Sequence, residues 1–487
     1  MLQTILAWLS FLGLIAAAVP AALWWANRLQ AADVIQPPLV ACLTLTISAG
    51  GLSQVMLIQG VIGIPLTFWG IVLPYLVLVA PGWGYAARHA GHVRLPQLHV
   101  DRSTVITAGL LMLIVVSILY TGLYIPLYRA DTTGIYLPAA LPMFQQGILD
   151  PLIGADSLYR TYPVLIPSLY ALSFMASGWE NEYLAKLLPT LLSLGCIPAS
   201  ALIAWQLNRH TAAAWTAALL TALTPLFGAW ASAGYVDLPM AFLYALCVWF
   251  VLRAWEQRSA FDALCAGIVL GLAANAKNAA LLAVPLFICL LFAAVILRRV
   301  PWQAAPISLA ACAGIGAPFY LRNLAGAGFI LPATAWTEQA ERTVYNLFAF
   351  VTQFENFGVV GIMILLALAA LPFVVRQHRN AMPFGIVLAF ALIYFAAWWW
   401  FVSYDPRFLL LILPLLTGFS GSIGALAWER IGQPMRRVIL PGLLIAACVL
   451  TVSRAYYSAE YKDEFLRAPL MSHPDKLIMV GRVTPPP

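Results

Sequence analysis

The stretch "VITAGLLMLIVVSILYTGLYIPLYRAD", Val105 to Asp131, decides how this chain is read. From Val105 to Tyr128 it carries no charge, and about 20 apolar residues are what a helix needs to cross ~30 Å of hydrocarbon. The run then ends abruptly in Arg129 and Asp131. Ionisable groups at the edge of hydrocarbon are costly, and they are functional candidates by default.

The rest of the chain repeats the pattern. Hydrophobic residues make up 62% and charged residues 9%, with mean hydropathy +0.88. Soluble domains carry about a quarter charged residues, so a soluble globule is excluded. The reading is an all-α, polytopic transmembrane helical bundle. Apolar stretches predict about fourteen spans, near 2–26, 37–60, 62–87, 104–127, 183–207, 211–230, 237–255, 261–276, 279–297, 303–320, 356–375, 382–401, 408–427 and 438–453.

The +7 net charge comes from scattered basic residues, which speaks for topology rather than nucleic acid. Placing the loop 88–102 inside puts Arg28, Arg209, Arg253, Arg258, Arg298, Arg299, Arg376, Arg379, Arg430, Arg436 and Arg437 on the same side, as the positive-inside rule requires. Asp131, Asp237, Lys277, Arg322, Asp405, Arg407 and the C-terminal tail then fall outside. The first stretch has no basic leader and is longer than a signal core, so it reads as a retained span. The cysteines all lie in apolar stretches without CxxC spacing and read as small core residues.

Three parts are expected: 1–103, accessory spans and an inner loop; 104–453, a bundle with long outer loops 128–182 and 321–355; and 454–487, a short tail capping the outer face. Within those loops, 162–178 and 334–354 read as helices lying along the outer interface. "FAAWWWF", 395–401, reads as an interfacial aromatic belt.

Absences narrow the chemistry. There is no GxxxxGK[ST] loop, and Gly314 and Gly316 lie in an apolar span where they serve packing. Five histidines fall on the inner side and His473 in the tail, so carboxylates must do any proton work outside. Asp131, Asp237, Lys277 and the pair Asp405 and Arg407 stand at the outer ends of separate spans. Each has a structural explanation as well: Asp131 and Asp237 suit helix caps, Lys277 suits snorkelling, and Arg407 suits an interface anchor.

An acid in a long first outer loop, "YP" at 162–163 before an apolar helix, "GYVDLP" at 234–239 and "YDPRFLLLILPLL" from Tyr404 together resemble the GT-C superfamily of membrane glycosyltransferases. The branch is similar to the protein O-mannosyltransferase and lipid A aminoarabinose transferase group, over about 104–453. The resemblance implies a polyprenyl-phosphate sugar donor, a protein, lipid or glycan acceptor, membrane lipids around it, and a prokaryotic inner membrane with the site outside. It implies catalytic roles for Asp131 and Asp237. "RADT" replaces the adjacent Asp-Glu pair of the mannosyltransferases, and the stretch 454–487 is expected to be too short for the large soluble domain of that group.

Physical chemistry adds the other expected roles. Lys277, Arg407 and Arg322 would meet charge growing on the leaving phosphate. Arg160, Tyr162, Tyr136 and Asp405 would shape the pocket. The cofactor stays open, a divalent cation on Asp131 or Asp237 being the candidate. The rivals are a transporter or flippase of lipid-linked sugars, which needs ionisable groups at mid-span, and a non-catalytic subunit of a membrane complex.

Overall fold

A computed structural model of the chain describes residues 2–30, 35–89, 102–149, 162–331, 342–375, 381–458 and 467–484. Every regular element among them is a helix, as hydrocarbon demands, because each backbone N–H and C=O must find its partner within its own segment. Eleven helices are long and apolar enough to cross a membrane, or twelve if the bent pair Thr211–Leu223 and Pro225–Ala231 is one span. The protein is a multi-pass integral membrane protein.

Three of the fourteen expected spans account for the difference. The stretch 211–230 breaks into that pair with a 68° bend; Thr224 is extended there, as a residue preceding proline prefers to be. The stretch 261–276 forms Ala260–Ala276, a helix of 17 residues, about 26 Å long against ~30 Å of hydrocarbon. The stretch 356–375 has only the short apolar helix Gly358–Phe373. Composition does not separate a short buried helix from a crossing one.

The bundle is built around Asp237–Gln257, in which every side chain from Asp237 to Trp255 is buried. A helix apolar on all sides belongs at a centre. Ala260–Ala276 packs between it and Ala304–Ala327. The close approach uses Gly267 and Gly271: a Cβ on Gly267 would fall 2.2 Å from the Ser308 carbonyl oxygen. This is the small-xxx-small packing by which membrane helices approach one another. Gly316 faces Gly271, whereas Gly314 meets nothing within 4 Å, so only one of the two expected packing glycines serves that purpose.

The helices Leu2–Arg28 and Gln36–Leu45 share this core. The Trp25 indole lies 3.2 Å from Cys265 Sγ. At the same end, the buried Arg253 donates to Asp262 (2.9 Å) and to the Leu29 carbonyl (2.6 Å). Five cysteines are buried, while Cys289 and Cys448 are exposed.

The segment 162–178 does form a helix, Leu165–Ser177, but it is buried rather than laid along an interface. Its polar groups are satisfied inside: Ser168 donates to Ser53 (2.9 Å) and Tyr170 to the Gly234 carbonyl (2.6 Å). An apolar sequence with satisfied hydroxyls can be buried without penalty. The other expected interfacial helix is seen as Val344–Thr352, with no buried residue, and 334–341 lies outside the described residues. Of the "FAAWWWF" aromatics, Trp400 and Phe401 are exposed, but Trp398 is buried and donates to the Asp405 carbonyl (2.9 Å).

Candidate active site

At one end of Asp237–Gln257, residues distant in sequence meet. Asp237 is the first residue of the helix, the cap position falls to Val236, and no side chain caps it. The Asp237 carboxylate instead forms a buried ion pair with the Lys277 ammonium. Its second oxygen, Oδ2, has no hydrogen-bond partner among the described residues. Lys277 occupies an extended link between Ala260–Ala276 and the 3-10 turn Asn278–Leu282. The flanking asparagines hold that link to Ala304–Ala327: Asn275 donates to the Ile315 carbonyl (2.7 Å) and Asn278 accepts from Tyr320 (3.1 Å). The arrangement makes Lys277 an inward-facing partner of a carboxylate and not a snorkelling lysine.

Asp131 stands before a π-helical turn, Thr132–Tyr136, and its side chain makes no cap bond there. Short π segments recur at functional sites in proteins. Its backbone N–H donates to the Tyr235 hydroxyl (3.0 Å), and its Oδ2 accepts from Arg407 Nη1 (3.2 Å). Arg407 is fixed from its own turn by Asp405, which accepts the Arg407 backbone N–H (2.8 Å) and lies 3.4 Å from Nε. The Arg407 guanidinium is also bordered by aromatic rings, with centroids at 4.9 Å (Trp230), 5.1 Å (Tyr235) and 4.7 Å (Phe408). The Lys277 ammonium lies 4.3 Å from the Phe408 centroid. Phe408 thus joins the two cation–carboxylate pairs into one cluster.

Tyr136 continues the aromatic wall, its centroid 5.7 Å from both Tyr162 and Tyr235. The turn that aims Tyr235 requires Gly234: its φ is +79°, and a Cβ would fall 2.5 Å from the Tyr170 hydroxyl. Burial pushes the Tyr235 phenol up to about 12, so it stays neutral. Burial also raises the Asp131 carboxyl above its ordinary value, against the lowering pull of Arg407.

Arg322 lies on Ala304–Ala327 and makes no hydrogen bond or ion pair with Asp131, Asp237, Lys277 or Arg407. Arg160 lies outside the described residues. The two carboxylates are each taken by a cation, and among the described residues no three His, Cys, Asp or Glu side chains group as a metal site.

Four residues not expected from the sequence support the cluster. Trp230 and Tyr235 flank Arg407, and Tyr235 stood inside the "GYVDLP" motif unassigned. Glu182 is buried and accepts the Leu127 N–H (2.9 Å), four residues before Asp131. Arg482 in the tail donates to Glu182 (2.6 Å) and to the Leu127 carbonyl (2.9 Å). Pairing across 300 residues leaves no local signal. Arg482→Gln is expected to strand the Glu182 carboxylate, at about 1.5–3 kcal/mol for hydrogen bonds to charged groups. A lower thermal midpoint in detergent would register the loss; an unchanged one would mean that the tail does not hold this loop.

Beside the cluster runs an apolar cavity of about 190 Å³, lined by Leu347, Phe357, Leu388, Phe395, Leu409 and Ile412 among others. Leu409 and Ile412 belong to the same turn as Arg407.

Residues 161–315 match the family model described as dolichyl-phosphate-mannose-protein mannosyltransferase. That segment holds Asp237 and Lys277 but neither Asp131 nor Arg407. The fold is similar to that of ArnT from Cupriavidus metallidurans bound to undecaprenyl phosphate, with TM-score 0.51 and 18% identity over 77% of this chain and 72% of that one. The apo form of the same protein gives 0.50 and 18% over 76% and 72%. No curated protein matches in sequence. The resemblance expected from the sequence is thus met by the family model over about a third of the chain and by the fold, which is similar to that of ArnT.

Proposed function

We propose that the cluster is the active site and transfers a sugar from a polyprenyl phosphate to an acceptor hydroxyl on the extracytoplasmic face of a prokaryotic cell membrane. The carrying observation is the contact of Asp131 with Arg407, 276 residues apart, next to the Asp237–Lys277 pair and the apolar cavity. The prenyl chain lies in that cavity and the phosphate at Arg407 and Lys277, where arginine gives bidentate contact and lysine a point charge. The acceptor oxygen attacks the anomeric carbon as its bond to the phosphate oxygen breaks on the opposite face, inverting the centre. The proton passes to Asp131, and the electron pair leaves with the polyprenyl phosphate.

Asp237 is the second carboxylate of the donor site and orients Lys277. Tyr136, Tyr162 and Asp405 line the pocket, and Arg322 is a further cation for the donor phosphate. The catalytic bundle is 104–453, with the spans of 1–103 as accessory structure and 454–487 as the cap. The extracytoplasmic placement rests on the arginines at the other end, Arg209, Arg253, Arg258, Arg298, Arg299 and Arg436. The charged residues of the site gather at helix ends, which favours an enzyme over the flippase reading.

The test is to offer the purified protein polyprenyl-phosphate hexoses and pentoses with an acceptor. Release of free polyprenyl phosphate supports transfer; donor crossing the bilayer with its sugar intact supports a flippase and overturns it. A second test follows from acidity. Burial raises the Asp131 carboxyl above the usual 3.8, so the carboxylate is lost at higher pH than for a free aspartate. The rate is expected to fall as pH drops through that raised value. Stability runs the other way: the folded state holds this proton more tightly, so the group's stabilising contribution shrinks as pH rises past its unfolded value. A kcat/KM profile with its acid limb at the ordinary carboxylate value would remove Asp131 as the base.

A further inference from the structure

About 31 Å from the site, at the other end of Asp237–Gln257 by helix rise, three arginines face one groove. Arg258 follows that helix, Arg298 and Arg299 follow Asn278–Ile296, and Pro301 and Trp302 precede Ala304–Ala327. Together with Val295 and Val300 they line a space of about 350 Å³. Three other arginines of this end have partners: Arg209 is paired with Glu256 (2.6 Å), Arg253 with Asp262 (2.9 Å), and Arg436 donates to the Glu429 and Ile431 carbonyls. Among the described residues none of the three groove arginines has a carboxylate partner, and none of the lining residues is acidic. Arg299 is positioned by the Trp255 ring, 5.7 Å away. The positive-inside rule accounts for cations at this end, but not for three converging without counter-ions.

The surroundings identify the kind of ligand. Ile296 is 77% exposed, Trp302 67% and Phe292 51%, so an apolar face runs from the groove along the membrane-facing side of Asn278–Ile296. A charged head beside an apolar strip fits an amphiphile, and basic pockets between membrane helices take anionic lipid headgroups.

We propose that this groove binds the phosphate headgroup of an anionic phospholipid, with Arg258, Arg298 and Arg299 on the phosphate and the acyl chains along Phe292 and Ile296. The site is separate from the proposed transfer chemistry and belongs to the opposite leaflet.

The full-length protein, exchanged into a mixture of phosphatidylglycerol and phosphatidylcholine, is examined by native mass spectrometry. Phosphatidylglycerol is expected to be retained in preference, and its retention to fall about tenfold or more in R258Q/R298Q/R299Q. All three substitutions lie in an exposed groove, and a second variant, Trp302→Ala, weakens retention without removing charge. Equal retention of the two lipids, or a triple variant that holds phosphatidylglycerol as the wild type does, overturns the proposal. Displacement by free glycerol phosphate at equal concentration also overturns it, by making the ligand a soluble phosphate. Asp131→Asn leaves retention unchanged, so the outcome does not depend on the reading of the active site.

Discussion

Asp131→Asn is expected to cut the turnover of sugar transfer by about 10²–10⁴-fold, the range of a general base, while donor binding persists. The substitution keeps the side chain's size and spares the backbone N–H that donates to Tyr235. It removes the proton acceptor and the charge that Arg407 holds at 3.2 Å. Arg407 then has one carboxylate fewer to compete with a donor phosphate, so the donor KM is expected to stay the same or fall. A single-turnover rate with bound donor separates the two effects. Turnover within twofold of the wild type would end the role of Asp131 as base and would favour the scaffold-subunit reading.

The Asp237–Lys277 pair carries the second large effect. Both side chains are buried, and removing one partner of a buried pair costs about 3–5 kcal/mol because the other charge is left without compensation. Lys277→Met is therefore expected to lower the thermal midpoint sharply, which alone says nothing of function. The double variant Asp237→Leu with Lys277→Met replaces the pair by apolar groups, an exchange that is often neutral or stabilising. Its midpoint is expected to recover while sugar transfer remains lost. If the double variant transfers sugar at the wild-type rate, the pair is structural and the donor phosphate is held by Arg407 without it.

The candidate residues were legible because they violate the rule that governs everything around them. Asp131, Asp237, Lys277 and Arg407 are charges at the edges of long apolar runs, and such positions are conspicuous in any hydropathy reading. Their competing explanations were equally legible, and no local pattern separates a capping aspartate from one paired across the bundle. The structure separates them: neither Asp131 nor Asp237 makes a side-chain cap bond, and both meet cations from distant segments. Tyr235, Trp230, Glu182 and Arg482 were not legible as site residues. An aromatic ring or a loop glutamate is ordinary in sequence, and its meaning lies in a neighbour.

Composition and the period of apolar runs by themselves determined that this is a polytopic helical membrane protein, since hydrocarbon permits few other ways to satisfy a backbone. They also determined which charges merit chemistry. Tertiary structure alone decided that Ala260–Ala276 is a buried helix shorter than a span and that Leu165–Ser177 is buried rather than interfacial. It alone brought Arg407 to Asp131 and Lys277 to Asp237. The reason is that burial and pairing depend on what lies across the bundle, and in a nearly uniform apolar sequence the helix faces carry little record of their partners.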